Sequence, residues 1–211
     1  MPRAHLVACA LYAGAALSLA GSPAAFAENA LTVYGGWRAG GGLEDTTTGR
    51  GVSMKETGAV SVALDLDYEE SSQIQIFASY QNTSLAATQA GQPTGTTTRM
   101  GLKVGYLHLG GTVFFNGPVG RGGYLVGGLG ISVLSPGLEG LGTETQPSMN
   151  LGVGYVLPLG QSLALRFEGR GYFTLVNSSG GIFCSGGCAV SISGNVLSQG
   201  EIMAGLSLRF K

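Results

Sequence analysis

The sequence predicts an all-β protein, specifically an eight-stranded, antiparallel, up-and-down transmembrane β-barrel. Apolar and polar residues alternate with a period of two in segment after segment, which is the pattern of half-buried strands. Glycine accounts for 38 of the 211 residues, and this argues against helices because an interior glycine costs a helix about 1 kcal/mol. Only 11% of the residues are charged, whereas soluble domains usually carry about 25%.

The N-terminal segment has the features of a secretory signal peptide. Arg3 precedes an apolar run over residues 6–20, a Gly-Ser-Pro break follows, and Ala25 and Ala27 provide the small residues of a cleavage site. An uncleaved membrane anchor is the alternative, but the run is shorter than the ~20 residues of a spanning helix. We therefore expect residues 1–27 to be removed and residues 28–211 to form the barrel domain.

Eight strand candidates follow the signal peptide, and no segment has the period of a helix. In chain order they are predicted over residues 31–38, 60–68, 73–80, 100–105, 125–133, 149–157, 163–173 and 201–210. In each candidate the apolar residues share one set of alternate positions, which we call the apolar parity of the strand; the positions between them are its polar parity. These parities are Leu31, Val33 and Trp37; Val60, Val62, Leu64 and Leu66; Ile74, Ile76, Ala78 and Tyr80; Met100, Leu102 and Val104; Leu125, Leu129, Ile131 and Val133; Met149, Leu151, Val153, Tyr155 and Leu157; Leu163, Leu165, Phe167 and Phe173; and Ile202, Ala204, Leu206, Leu208 and Phe210.

The connections between these strands alternate between long and short. The long ones are predicted over residues 40–57, 81–97, 134–147 and 177–197, and the short ones over 69–72, 116–123 and 158–162. Long loops at one end and short turns at the other describe an up-and-down barrel. Because the number of strands is even, both termini lie at the short-turn end.

The apolar parity is predicted to face lipid and the polar parity to face the lumen. A soluble barrel is the alternative, but soluble surfaces are usually about 25–35% charged, and the polar parity here carries too few charges. Nine charged residues share the polar parity in nearly balanced numbers. Since an unpaired buried charge is costly, we expect an ion-pair network in the lumen. Its predicted members are Arg38, Asp65, Asp67, Lys103, Arg166, Glu168, Arg170, Glu201 and Arg209.

His108 is the only histidine after the signal peptide. Strict alternation from Met100 would direct it toward lipid, but Leu107 and Leu109 fit better as a lipid-facing pair. We therefore predict a β-bulge near Gly105 that turns His108 into the lumen, where we expect no catalytic role.

Cys184 and Cys188 are predicted to form a disulfide at the tip of the last long loop, because disulfides are stable in exported proteins. The alternative, a zinc site, requires about four ligands, and the sequence has no second cluster. No metal and no cofactor are predicted. The formal net charge of −1 leaves no basic excess for phosphates, so no nucleic acid is expected as a partner.

Residues 106–115 (YLHLGGTVFF) and 124–130 (YLVGGLG) look like segments of an outer membrane beta-barrel family, and the layout resembles the OmpA/OmpX/OmpW-like barrels of Gram-negative bacteria. The resemblance implies location in the bacterial outer membrane and contact with its lipid. It also implies that the barrel-assembly machinery reads the terminal strand through Leu206, Leu208 and Phe210, although Lys211 departs from the usual terminal aromatic. We expect a monomer.

The expected function is non-enzymatic: a structural or surface-display barrel with long loops outside and short turns in the periplasm. A narrow passive channel for a small or apolar solute is the alternative, but side chains about fill the interior of an eight-stranded barrel. A membrane-embedded lipid-modifying enzyme is the third possibility. The lipid A deacylase type carries His and Ser two residues apart, whereas His108 is followed by Leu109 and Gly110.

Overall fold

The computed structural model describes residues 29–45, 50–87, 98–115, 117–137, 142–176, 182–184, 188–190 and 196–211, and within these ranges every regular element is a β-strand. The predicted signal peptide and its cleavage site lie outside the described residues. The strands are β1 (Asn29–Gly40), β2 (Leu43–Asp45), β3 (Arg50–Met54), β4 (Thr57–Glu69), β5 (Ser72–Ala87), β6 (Thr98–Phe114), β7 (Gly122–Pro136), β8 (Glu144–Pro158), β9 (Leu163–Leu175), β10 (Ile182–Cys184), β11 (Cys188–Val190) and β12 (Val196–Phe210).

Eight of these strands close into an antiparallel barrel, in the order β1-β4-β5-β6-β7-β8-β9-β12. β12 returns to β1 and pairs with it from Asn29 opposite Phe210 to Gly40 opposite Gln199. The predicted fold class is confirmed. Beyond the end of β4, β3 pairs with the far end of β5, and β2 pairs with β3. The strands β10 and β11 form a separate two-stranded ladder.

The strands are longer than the apolar alternation predicts, most clearly at the long-loop end of the barrel. β5 and β6 pair without interruption from Ser72 opposite Val113 to Ala87 opposite Thr98. The alternation stops at Tyr80 on β5, but backbone hydrogen bonding does not require apolar side chains, so the ladder continues through a polar segment.

Glycine allows β6 and β7 to approach closely. A Cβ atom at Gly110 would lie 1.9 Å from the carbonyl oxygen of Gly127, and one at Gly130 would lie 1.9 Å from the oxygen of Leu107. A side chain at either position would collide with backbone of the adjacent strand. The glycine-rich sequence of these two strands therefore permits a tight local packing of the barrel wall.

The barrel is apolar outside and polar inside over most of its height. Leu109, Leu129 and Ile202 point outward and are 62%, 70% and 72% exposed, whereas inward-facing Thr112 and Arg38 are fully buried. This arrangement is the inverse of a soluble protein. In a closed barrel every strand has two partners, which satisfies the backbone in lipid. No helix within the described ranges is long and apolar enough to cross a membrane.

One predicted orientation is wrong: the first half of β6 faces the other way. Leu102 and Val104 are buried in the lumen, and Lys103 is exposed on the outer wall. His108 faces the lumen as predicted, but without a bulge, because the pairing of β6 with β5 is continuous past Gly105. The physical reason is that side chains keep alternating between the lumen and the outer wall along β6, but the residue types change at Gly105. On the long-loop side of Gly105 the lumen-facing residues are apolar and the outward-facing Lys103 is polar.

Candidate functional site

In the part of the chain that the structure describes, three buried ion pairs lie in the lumen. Arg38 Nη2 lies 2.6 Å from Glu201 Oε2, and Arg170 Nη2 lies 2.6 Å from Glu168 Oε1. The third pair joins Arg166 to Asp65. Three cations and three anions thus meet inside the barrel with almost no access to solvent, so their charges balance locally.

The other three residues predicted for the network lie elsewhere. Lys103 faces outward, for the reason given above, and Asp67 is exposed beside a register shift between Asp67 and Glu69 at the short-turn end of β4. Arg209 is half-buried at the same end and donates to the carbonyl oxygen of Gly160. The lumen pairs therefore comprise six of the nine predicted residues.

Two of the ion pairs belong to a closed ring of hydrogen bonds. Arg166 donates to Tyr124 (3.2 Å), and the Tyr124 hydroxyl donates to Glu168 Oε2 (2.7 Å). Arg170 donates to Gln75 Oε1 (2.9 Å), and the Gln75 amide donates to Asp65 Oδ1 (2.7 Å), which returns the ring to Arg166. The ring is contributed by β4, β5, β7 and β9, so it ties opposite walls of the barrel together.

The ion pair between Arg38 and Glu201 lies outside this ring and forms a second cluster nearer the long loops. The Arg38 guanidinium lies 5.1 Å and 4.5 Å from the ring centroids of Tyr106 and Tyr172, which themselves stack at 4.5 Å. The Tyr172 hydroxyl donates to Glu201 Oε2 at 2.7 Å, and Arg38 also donates to Ser79. Arg38 is completely buried, so its charge is held by Glu201 and by the faces of two tyrosines.

Apolar side chains lie at both ends of these polar clusters. Toward the long loops, an inner apolar layer is buried, and toward the short turns a second layer is covered by Val119 of the β6–β7 turn. A cavity of about 10 Å³ beside Arg166 has room for one water molecule. The first layer includes Met54, Leu85, Leu102, Val104, Leu134, Val176 and Leu197, and the second consists of Phe114, Tyr124, Val126, Val156 and Ala164.

A histidine–serine contact in the lumen was not predicted from the sequence. His108 Nε2 lies 2.9 Å from Ser148 Oγ, although the two residues are 40 positions apart. They meet because Gly130, which separates them in the strand ladder, has no side chain. Both are buried, and His108 Nδ1 has no partner among the described residues, so the acid that orients a catalytic histidine is missing from this contact.

Cys184 and Cys188 face each other as backbone partners in the two-stranded ladder of β10 and β11. Their side chains lie outside what the structure describes, so the disulfide stays a prediction. We expect alkylation of the denatured, unreduced mature protein to label neither cysteine. Labelling of both would contradict the disulfide.

Two further features concern ligands and assembly. The described residues contain no group of three or more His, Cys, Asp or Glu side chains that could hold a metal ion. The terminal-strand residues Leu206, Leu208 and Phe210 all point outward and are exposed.

Solved structures resemble this barrel over most of its length. The outer membrane protein OprG from Pseudomonas aeruginosa matches with a TM-score of 0.57 and 8% identity, over 87% of this chain and 96% of that chain. The chain has the fold of the small outer-membrane barrels. Outer membrane protein AlkL, solved in DMPC bilayers, gives 0.51 and 14% over 88% and 90%. Neisserial surface protein A gives 0.50 and 13% over 86% and 97%.

These identities are low, so the likeness concerns the fold. No protein-family model matches the sequence, and a search of curated proteins finds no match. The outward-facing apolar side chains form a band around the barrel, which we call the apolar belt. The fold and the apolar belt agree with the bacterial outer-membrane location that the sequence predicts.

Proposed function

We propose that this chain is a non-enzymatic, non-conducting integral protein of the bacterial outer membrane, with a structural or surface-display role. The observation that carries the proposal is the closed lumen. The ion pairs and aromatic rings fill its middle, and an apolar layer lies at each end.

The filled lumen argues against the passive channel. A hydrated ion needs a continuous polar path, but Leu102 and Leu134 lie in the apolar layer at one end and Phe114 lies in the layer at the other. Between them, Arg38 sits against Tyr106 and Tyr172. A path for ions would require several buried side chains to move together.

The long loops are proposed to lie outside the cell and the short turns in the periplasm. Outer-membrane barrels have short periplasmic turns and longer extracellular loops. Both β1 and β12 have their terminal ends at the short-turn side, where Asn29 pairs with Phe210. Loop display is therefore the role that the architecture supports best.

Assembly is proposed to follow the usual route for such barrels, giving a monomer. Every barrel strand has a neighbour on each side within one chain, so closure needs no second copy. The outward-facing Leu206, Leu208 and Phe210 form the segment that the barrel-assembly machinery would read.

The His108–Ser148 contact is the observation that would favour an enzyme. A lipid substrate would have to reach Ser148 from the bilayer, but both residues face the lumen and are buried. We therefore propose a packing role for this contact, in which His108 also stacks on Tyr106 at 5.5 Å.

Planar-bilayer conductance of the refolded protein tests this function. We expect no steady ion steps and no faster swelling of vesicles in small neutral solutes, because the lumen is filled. Heat-modifiable gel mobility of the same sample verifies that the barrel has folded and inserted. Steady steps or solute-dependent swelling from a folded sample would contradict the proposal and favour the channel.

A further inference from the structure

The outer wall changes from apolar to polar at one level along β5, β6 and β7. On β6, the outward side chains Leu107 and Leu109 are 50% and 62% exposed, and toward the long loops the exposed Lys103 replaces them. On β5, the exposed Tyr80 is followed by Asn82 at the next outward position. The change therefore occurs on neighbouring strands together.

The polar positions at this level form one lateral row. Asn82 pairs with Lys103 between β5 and β6, and Lys103 pairs with Ser135 between β6 and β7. We call Asn82, Lys103 and Ser135 the polar row. Two residues from this row toward the middle of the bilayer, Tyr80 lies opposite Gly105 and is the first residue of the apolar belt.

The inner wall changes in the opposite sense at the same level. Leu102, Val104 and Leu134 face the lumen and are at most 1% exposed. A polar outside with an apolar inside is the arrangement of a barrel in water. β5 and β6 contain 16 and 17 residues, whereas a strand needs only about 9–11 to cross a bilayer. The polar row thus lies where the barrel leaves the hydrocarbon, next to the interfacial aromatic Tyr80.

We infer that the polar row binds the phosphate-bearing headgroup of a membrane lipid. Lys103 presents an exposed ammonium at headgroup level, and no ion pair among the described residues involves it. Lysine binds phosphate as a point charge, and the Asn82 amide beside it adds hydrogen-bond donors. The inference rests on the membrane location in the proposed function, but on neither the closed lumen nor the display role.

Lipid retention tests the inference. The protein is refolded in phosphatidylcholine vesicles containing a minor fraction of phosphatidic acid, extracted in mild detergent and examined by native mass spectrometry. We expect phosphatidic acid to be enriched over phosphatidylcholine, and Lys103→Gln to reduce that enrichment about fivefold, the effect of one lysine at a membrane surface. Lys55→Gln, an exposed lysine outside the row, is the matched control and should change nothing.

Equal retention by the wild type and Lys103→Gln, or no preference in the wild type, would overturn the inference. Placement is tested separately with Cys184→Ser/Cys188→Ser protein carrying either Lys103→Cys or Leu107→Cys. A charged maleimide should label position 103 and spare position 107. Labelling of position 107 alone would also overturn the inference. Planar-bilayer conductance reports on the lumen, so the closed lumen is tested separately from the polar row.

Discussion

Replacing Glu201 by Ala is expected to lower the free energy of unfolding by about 3–5 kcal/mol, because it leaves a buried cation without its counterion. Arg38 is completely buried, and Glu201 accepts from both its Nε (3.1 Å) and its Nη2 (2.6 Å). The loss also removes the acceptor of the Tyr172 hydroxyl. Tyr172 and Tyr106 alone do not replace the negative charge.

The measurement is a denaturant titration in lipid vesicles, followed by the fluorescence of Trp37, the only tryptophan. Glu56→Ala removes an exposed carboxylate and is the control, for which we expect a change within about 0.5 kcal/mol. A Glu201→Ala loss no larger than that of the control would mean that water reaches Arg38, which contradicts a closed lumen.

Replacing Leu151 by Arg is expected to destabilise the barrel by about 2–4 kcal/mol, because a charge at the bilayer midplane is costly. Leu151 lies at the middle of β8, points outward and is 58% exposed. Leu206 also points outward between apolar outward-facing neighbours on β12, is 50% exposed and should respond similarly. Val104, which its apolar parity predicts to face lipid, faces the lumen instead and does not belong to this series.

The depth profile separates this effect from general damage. Leu208→Arg, on the same face of β12 but nearer the short-turn end, should cost less than Leu206→Arg, because the penalty falls toward the interface. Ser61→Arg places the charge in the lumen, where the larger side chain crowds its neighbours. Its cost in stability does not depend on depth in the bilayer. Equal costs at Leu206 and Leu208 would contradict the lipid-facing assignment.

The fold was predictable because most strands keep one apolar face throughout. On β8, for example, Met149, Leu151 and Val153 all point outward as their parity predicts. The predicted orientation is wrong for the first half of β6, because the outward-facing residues of this strand change from polar to apolar along its length. Lys103 and Leu107 point the same way, but one lies beyond the apolar belt and the other within it.

The composition of the lumen was predictable, but its pairing only partly so. Arg38 and Glu201 lie opposite each other on adjacent strands, so the order of the strands suffices to bring them together. Arg166 and Asp65 sit on β9 and β4, which are not neighbours, and their contact depends on the stagger and curvature of the closed barrel. The same holds for His108 and Ser148, which are two strands apart.

Refolding of the mature chain with and without lipid vesicles tests most directly the claim that the apolar face of the barrel meets lipid. Folding is followed by heat-modifiable gel mobility, in which a closed barrel migrates differently before and after boiling. We predict the folded form only when vesicles are present, because side chains such as Leu129 and Ile202 are 70% and 72% exposed and need an apolar surrounding. A chain that folds compactly in plain buffer would contradict the transmembrane assignment.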